Sequence, residues 1–261
     1  MPTPSDPSPS IHYLERCRDL LDRVASQSGA IAQAADWFAE TILADRPVHL
    51  FGSGHSRIMV EEMWPRYGSF PGFNPIVELS LTFHNQVSGA NGQRQAMFLE
   101  NVPGFAARIL RNFATAPEDT ALVVSSGGCN IVPVEIAEEF QKRGVRVVAL
   151  VSLAHCEGSA SKRADGKKLI DFADLVLDTG APLGDSMVRV PGLDTPVAPG
   201  STVGGCLVIN AVKAELAARL TAAGRPPNVL TAGAIVGGER AADLFEAAYD
   251  DHARLIAKLA P

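Results

Sequence analysis

The sequence predicts an α/β fold, a mainly parallel sheet covered by helices on both faces. Three observations carry this expectation. From Pro47 onward, short apolar runs alternate with helical stretches. The runs are nearly continuous rather than alternating in polarity, as strands buried on both faces are. The first two clear strands also run through glycine- and serine-rich loops straight into helices.

The elements follow in order. Residues 1–10 contain four prolines and three serines and read as a disordered tail. Between Ile11 and Ile42 the apolar residues Leu14, Cys17, Leu21, Val24, Ile31, Ala35, Phe38 and Ile42 fall at spacings of three, four and seven. This is one helical stripe, a single helix or two in line, with Ser28-Gly29 as its weak point.

Val48 to Phe51 reads as a buried strand, followed by Gly52-Ser53-Gly54-His55-Ser56 and a helix to about Arg66. Thr120 to Val124 is the next clear strand, followed by Ser125-Ser126-Gly127-Gly128-Cys129-Asn130 and a helix from Ile131 to Arg143, which Gly144 ends. Val145 to Val151, Ala173 to Leu177 and Ser186 to Val190 read as further strands. A long helix is expected from Ser201 to Ala222, N-capped by Ser201 or Thr202, and a last one from Glu239 to Leu259.

Composition narrows the function classes. Of 261 residues, 46% are hydrophobic and 20% charged, enough apolar material for one sizeable core. No run of about 18 apolar residues and no basic-then-apolar start occurs, which points to a cytoplasmic protein without a membrane partner. The net charge of −6 argues against a nucleic-acid partner. Cys17, Cys129, Cys156 and Cys206 contain no Cys-x-x-Cys pair, so they read as reduced thiols rather than a disulfide or zinc framework.

The two loops carry the chemistry. Each sits between a strand and a helix, where free backbone N–H groups and the positive helix end favour an anion. Glycine lets the backbone approach closely, and serine adds neutral donors. Gly52, Ser53, Gly54 and Ser56 in the first loop, and Ser125, Ser126, Gly127, Gly128 and Asn130 in the second, are the candidate phosphate-binding residues. Ser152, directly after a third strand, adds a hydroxyl at the same sheet edge. Neither loop fits Gly-x-Gly-x-x-Gly, a P-loop or Gly-x-Ser-x-Gly, so a dinucleotide, a nucleotide and a serine nucleophile are disfavoured.

The segments Val48 to Glu62, Leu122 to Ser152 (LVVSSGGCNIVPVEIAEEFQKRGVRVVALVS) and the helix STVGGCLVINAVKAEL from Ser201 resemble the sugar isomerase (SIS) domain family. FHNQVSGANGQ (Phe83 to Gln93) and the segment Ser152 to Ser186 are most similar to its uncharacterised phosphoheptose-isomerase-like subgroup. The resemblance implies a three-layer flavodoxin-like fold with a five-stranded parallel sheet, preceded by the long N-terminal helical segment. Residues 11–261 would then form a single SIS domain with a C-terminal helical extension. It also implies a phosphorylated sugar as ligand and a homodimer or homotetramer whose site lies at the subunit interface. Ser53, Ser56, Ser125 and Asn130 are carried over as ligand-binding residues. The family usually has Ser-x-Ser-Gly-x-Thr in the second loop, and here Gly127 stands in place of the second serine.

Aldose–ketose isomerisation moves a proton between adjacent carbons and needs a carboxylate or histidine beside the substrate. Glu62, His55 and His84 are the catalytic candidates, with Glu61 and Glu100 also weighed. Related phosphoheptose isomerases carry a metal-binding histidine at the position of Glu62 and the catalytic glutamate at that of Arg66. The six histidines include no pair at helical ligand spacing, so neither a metal nor another cofactor is expected. His55 lies inside a ligand loop, a poor place for a core histidine. His84 precedes Gly89-Ala90-Asn91-Gly92, a segment able to close over a substrate. Asp185 and Lys213 read as solvated or ion-paired groups. The expected function is phosphosugar binding, with aldose–ketose isomerisation as the leading activity. A non-catalytic sensing module and an amino-sugar phosphate lyase or etherase stay open.

Overall fold

The computed structural model describes residues 8–82 and 93–260. The stripe before the first strand forms two helices in line, α1 (Pro9–Ser26) and α2 (Ser28–Leu43). They meet at Gln27, whose side-chain amide donates to the Asp178 carbonyl at 2.6 Å and accepts from the Asp178 N–H at 2.9 Å. This pairing covers an otherwise open sheet edge. Helix already begins at Pro9, inside the stretch expected to be a tail, because proline suits the first helical turn.

Strand β1 (Val48–Gly52) leads through a 3₁₀ turn at Gly54–Ser56 into α3 (Arg57–Met63). The helix stops before Arg66 because Pro65 lacks an N–H and disfavours helix at the preceding residue. Strand β2 (Phe73–Ile76) follows, then α4 (Leu79–Thr82), α5 (Gln93–Leu99) and α6 (Phe105–Leu110). Strand β3 (Thr120–Val124) and α7 (Ile131–Lys142) precede β4 (Arg146–Val151) and the short α8 (Leu153–Gly158). The chain ends with β5 (Leu175–Asp178), α9 (Ser201–Ala222), α10 (Gly233–Val236) and α11 (Gly238–Ile256).

The five strands run in the order β2-β1-β3-β4-β5, all parallel. This is the flavodoxin-like order, with its topological switch point between β1 and β3. One face of the sheet, including Leu50, Leu122, Val124 and Leu150, packs with α2, α3 and α9. Phe51, Ala121, Val123 and Ala149 face the other way, towards α6 and α7. Phe38 on α2 is completely buried, and such a side chain contributes about 2–3 kcal/mol.

The structure adds one strand that the sequence did not announce and removes one that it did. Phe73–Ile76 is a strand although it contains Pro75, which an edge strand tolerates because one side needs no donor. Ser186 to Val190 is not a strand. It follows a 3₁₀ turn at Leu183–Asp185 and contributes only an isolated antiparallel bridge, Val188 to Val197. Among the described residues, no helix is long and apolar enough to cross a membrane.

Candidate functional site

At the carboxyl ends of β1 and β3, the switch point of the sheet, lies a cavity of about 360 Å³. Its wall combines Ser53, Gly54, His55 and Ser56 from the first loop with Ser125, Ser126, Gly127 and Asn130 from the second. Gln93, Met97 and Glu100 close one side, and Asp185, Ser201 and Thr202 another. No lysine or arginine is among the described residues of this wall. An anion here therefore depends on hydroxyls, backbone N–H groups and helix ends.

The second loop is shaped by Gly128 at φ +58, whose N–H donates to both the carbonyl and Oγ of Ser125, at 3.1 and 3.2 Å. Ser126 belongs to the wall, and its Oγ is buried without a hydrogen-bond partner among the described residues. In the first loop, Gly52 must be glycine for packing: an added Cβ would lie 2.7 Å from the Ser56 carbonyl oxygen. Gly52 and Gly128 thus shape the loops and do not line the cavity.

Two carboxylates face this space. Glu100 is 9% exposed; its Oε2 accepts from Asn130 Nδ2 at 2.5 Å and its carbonyl from the Val132 N–H at 2.9 Å. It directly follows α5 (Gln93–Leu99), five residues before α6 begins at Phe105, and it lines the cavity. Asp185, at φ +52, accepts from the N–H groups of Gly200 and Ser201 at 2.9 and 2.7 Å, and from Ser201 Oγ at 2.6 Å. The cap of α9 therefore comes from Asp185 across the loop, and the Ser201 hydroxyl serves as a donor to it. Asp185 carried no site role in the sequence reading, since a cap that folds back from a preceding loop leaves no local spacing signal.

Not every expected residue meets the cavity. Ser152 is fully buried: its Oγ donates to the Ala181 carbonyl at 2.7 Å and accepts the His155 N–H at 3.2 Å, capping α8. Glu62, one turn beyond Met59 on α3, is not among the residues of the cavity wall; its carboxylate accepts from Arg66 and from Asn210 Nδ2, the latter at 2.7 Å. Burial works to raise its pKa, but the Asn210 and Arg66 hydrogen bonds, the Arg66 charge and that of Lys213 hold it below the ordinary value. That leaves Glu62 a weak proton acceptor. Lys213 is 4% exposed and donates to the Glu62 carbonyl at 2.8 Å; burial pulls its pKa down. His84 lies outside the described residues.

The metal of related enzymes does not fit this donor set. Arg66 places a guanidinium against Glu62, filling the place of a cation. Among the described residues, no group of three histidine, cysteine, aspartate or glutamate side chains is arranged to hold an ion.

A larger cavity, about 550 Å³, lies between α2 and the C-terminal helix. Its cations are spent on structure: Arg225 pairs with Asp45, Arg254 with Asp251, and Lys258 donates to the Asp45 carbonyl.

The family model of the SIS domain matches residues 12–152, which takes in both serine loops. The chain belongs to the SIS domain family. This SIS chain is 34% identical over 239 residues to a UPF0309 protein of Brucella abortus strain S19, covering 92% of this chain and 93% of that protein. A UPF0309 protein of Listeria monocytogenes serotype 4b is 31% identical over 205 residues, covering 78% and 81%. Among solved structures, a phosphoheptose isomerase from Francisella tularensis superposes with a TM-score of 0.49 at 15% identity, covering 78% of this SIS chain and 94% of that one.

Proposed function

We propose that the protein binds a phosphorylated sugar between the two serine loops and interconverts its aldose and ketose forms, with Glu100 as the base. The observation that carries this is the position of the Glu100 carboxylate on the wall of the same cavity as both loops. One of its oxygens is held by Asn130, so the group is oriented. SIS membership and the neutral donors of the wall support the phosphosugar, and the buried carboxylate supports proton transfer at carbon. His55, on the opposite loop, serves the sugar oxygens.

Glu62, expected as the base, is set aside because its carboxylate is committed to Arg66 and Asn210 outside the cavity. We also propose that a second copy of the chain covers the cavity mouth. There Met97 is 53% and Phe98 71% exposed, an apolar pair at the rim of a polar site. Light scattering that returns a monomer at micromolar concentration removes this part of the reading.

The activity is tested by NMR in deuterated buffer with a panel of aldose phosphates. Wild-type protein is expected to form the ketose with deuterium at C1, the carbon that is protonated from the enediol after C2 has lost its proton. Glu100→Gln is expected to abolish both signals while keeping the ligand-induced thermal shift. A thermal shift with neither turnover nor exchange in wild type identifies a sensing module instead.

A further inference from the structure

Gly127 lies on the cavity wall, and a Cβ added there would meet His155, 3.0 Å from Cδ2 and 3.2 Å from Nε2. The imidazole edge therefore occupies the volume that a side chain at position 127 would need. His155 arrives from a third strand-to-helix connection, β4 to α8, and is fixed at both ends. Its backbone N–H donates to Ser152 Oγ at 3.2 Å, and its Nδ1 accepts the Gly184 N–H at 3.1 Å. A neutral imidazole whose Nδ1 accepts carries its proton on Nε2. That is the ring nitrogen beside position 127, on the loop whose Ser126 hydroxyl has no partner among the described residues.

We infer that His155 is a direct ligand of the phosphoryl group, its Nε2–H supplying the donor that Gly127 lacks. The inference rests on the phosphosugar reading of the cavity and adds a third βα connection to the two serine loops. It gives Ser152 a role as a positioning residue for His155. It also makes a serine at 127 and the histidine at 155 mutually exclusive, because both claim one volume and one function. A neutral N–H donor suits a wall without described cationic side chains, where hydrogen bonds carry the recognition.

The inference is tested by calorimetric titration of inorganic phosphate and of a sugar-phosphate panel into wild type, His155→Ala, His155→Phe, Gly127→Ser and the double variant Gly127→Ser/His155→Ala. His155→Phe keeps the ring volume and removes the donor. Both His155 variants are expected to bind about 10- to 100-fold more weakly, the range for a hydrogen bond to a charged group. Gly127→Ser alone is expected to weaken binding by crowding the ring, whereas in the His155→Ala background it restores affinity. This reversal of sign is one that a purely structural histidine would not produce. Wild-type affinity in His155→Phe overturns the inference and leaves the cavity reading intact. Failure of wild type to bind any of the phosphates overturns both.

Discussion

Asn130 Nδ2 donates to Glu100 Oε2 at 2.5 Å, joining the loop after β3 to the segment after α5 across the cavity wall. A neutral amide beside a carboxylate holds it without cancelling its charge. Asn130→Asp replaces this bond by two carboxylates at hydrogen-bond distance, which cannot both ionise without strong repulsion. The variant is expected to melt several degrees lower than wild type at pH 7 and to bind sugar phosphates at least about tenfold more weakly. Calorimetry at pH 7 and pH 5 checks this, since acidification should recover part of the lost stability.

Ser125 and Ser126 are neighbours with different duties. Ser125 Oγ accepts the Gly128 N–H at 3.2 Å, whereas Ser126 Oγ has no partner among the described residues. Ser126→Ala is therefore expected to leave the melting temperature of the free protein within a degree or two while reducing the shift caused by a sugar phosphate. Ser125→Ala should cost the free protein about 1 kcal/mol as well, the net worth of one hydrogen bond. Equal effects of the two substitutions on the free protein would contradict this division of labour.

The legible parts of the fold were those with a local signal. The strands Thr120–Val124 and Val145–Val151 announce themselves as apolar runs, and the structure places them within one residue of expectation. The helix Ser201–Ala222 is recovered to the residue. Strand β2 received no assignment from the sequence, because Pro75 interrupts its short apolar run; its edge position makes the proline tolerable. The site divides in the same way. Both serine loops, which the structure brings to one cavity wall, were legible because each is a contiguous run of residues. The places of Glu100, Asp185 and His155 depend on contacts between segments about 15 to 30 residues apart, which periodicity does not encode.

The opposite end of the sheet holds a buried network with its own pH signature. Asn74 Nδ2 donates to His49 Nδ1 at 3.0 Å, leaving His49 Nε2 to donate to Asp119 Oδ2 at 3.0 Å; Arg46 adds bonds at 2.6 and 3.0 Å. Burial alone would raise the Asp119 pKa, but the His49 and Arg46 hydrogen bonds and the Ala116 N–H hold it below its ordinary 3.8. A carboxyl with a depressed folded pKa contributes stability above its unfolded pKa and loses it as the pH falls through the folded value. Wild type should therefore lose stability below pH 3.8 more steeply than Asp119→Asn, and at pH 7 Asp119→Ala should cost about 3 kcal/mol or more. Urea titrations from pH 7 down to pH 3 measure both.

Gly204 fixes how α9 meets the sheet. A Cβ there would stand 1.9 Å from the Thr179 carbonyl oxygen, a backbone atom just past β5 that has no rotamer to escape through. Gly205 beside it makes room for Met59 of the cavity wall, whose Sδ would lie 2.9 Å from an added Cβ. The two positions therefore predict different outcomes. Gly205→Ala meets a flexible thioether and should cost about 1 kcal/mol or less after Met59 shifts. Gly204→Ala must push α9 off the strand end, carrying with it the Asp185 contact to Gly200 and Ser201. It is expected to lose about 3 kcal/mol or more, despite the better helix propensity of alanine. Chemical denaturation of the two variants separates them, and a Gly204→Ala protein as stable as wild type would show that α9 does not press on Thr179.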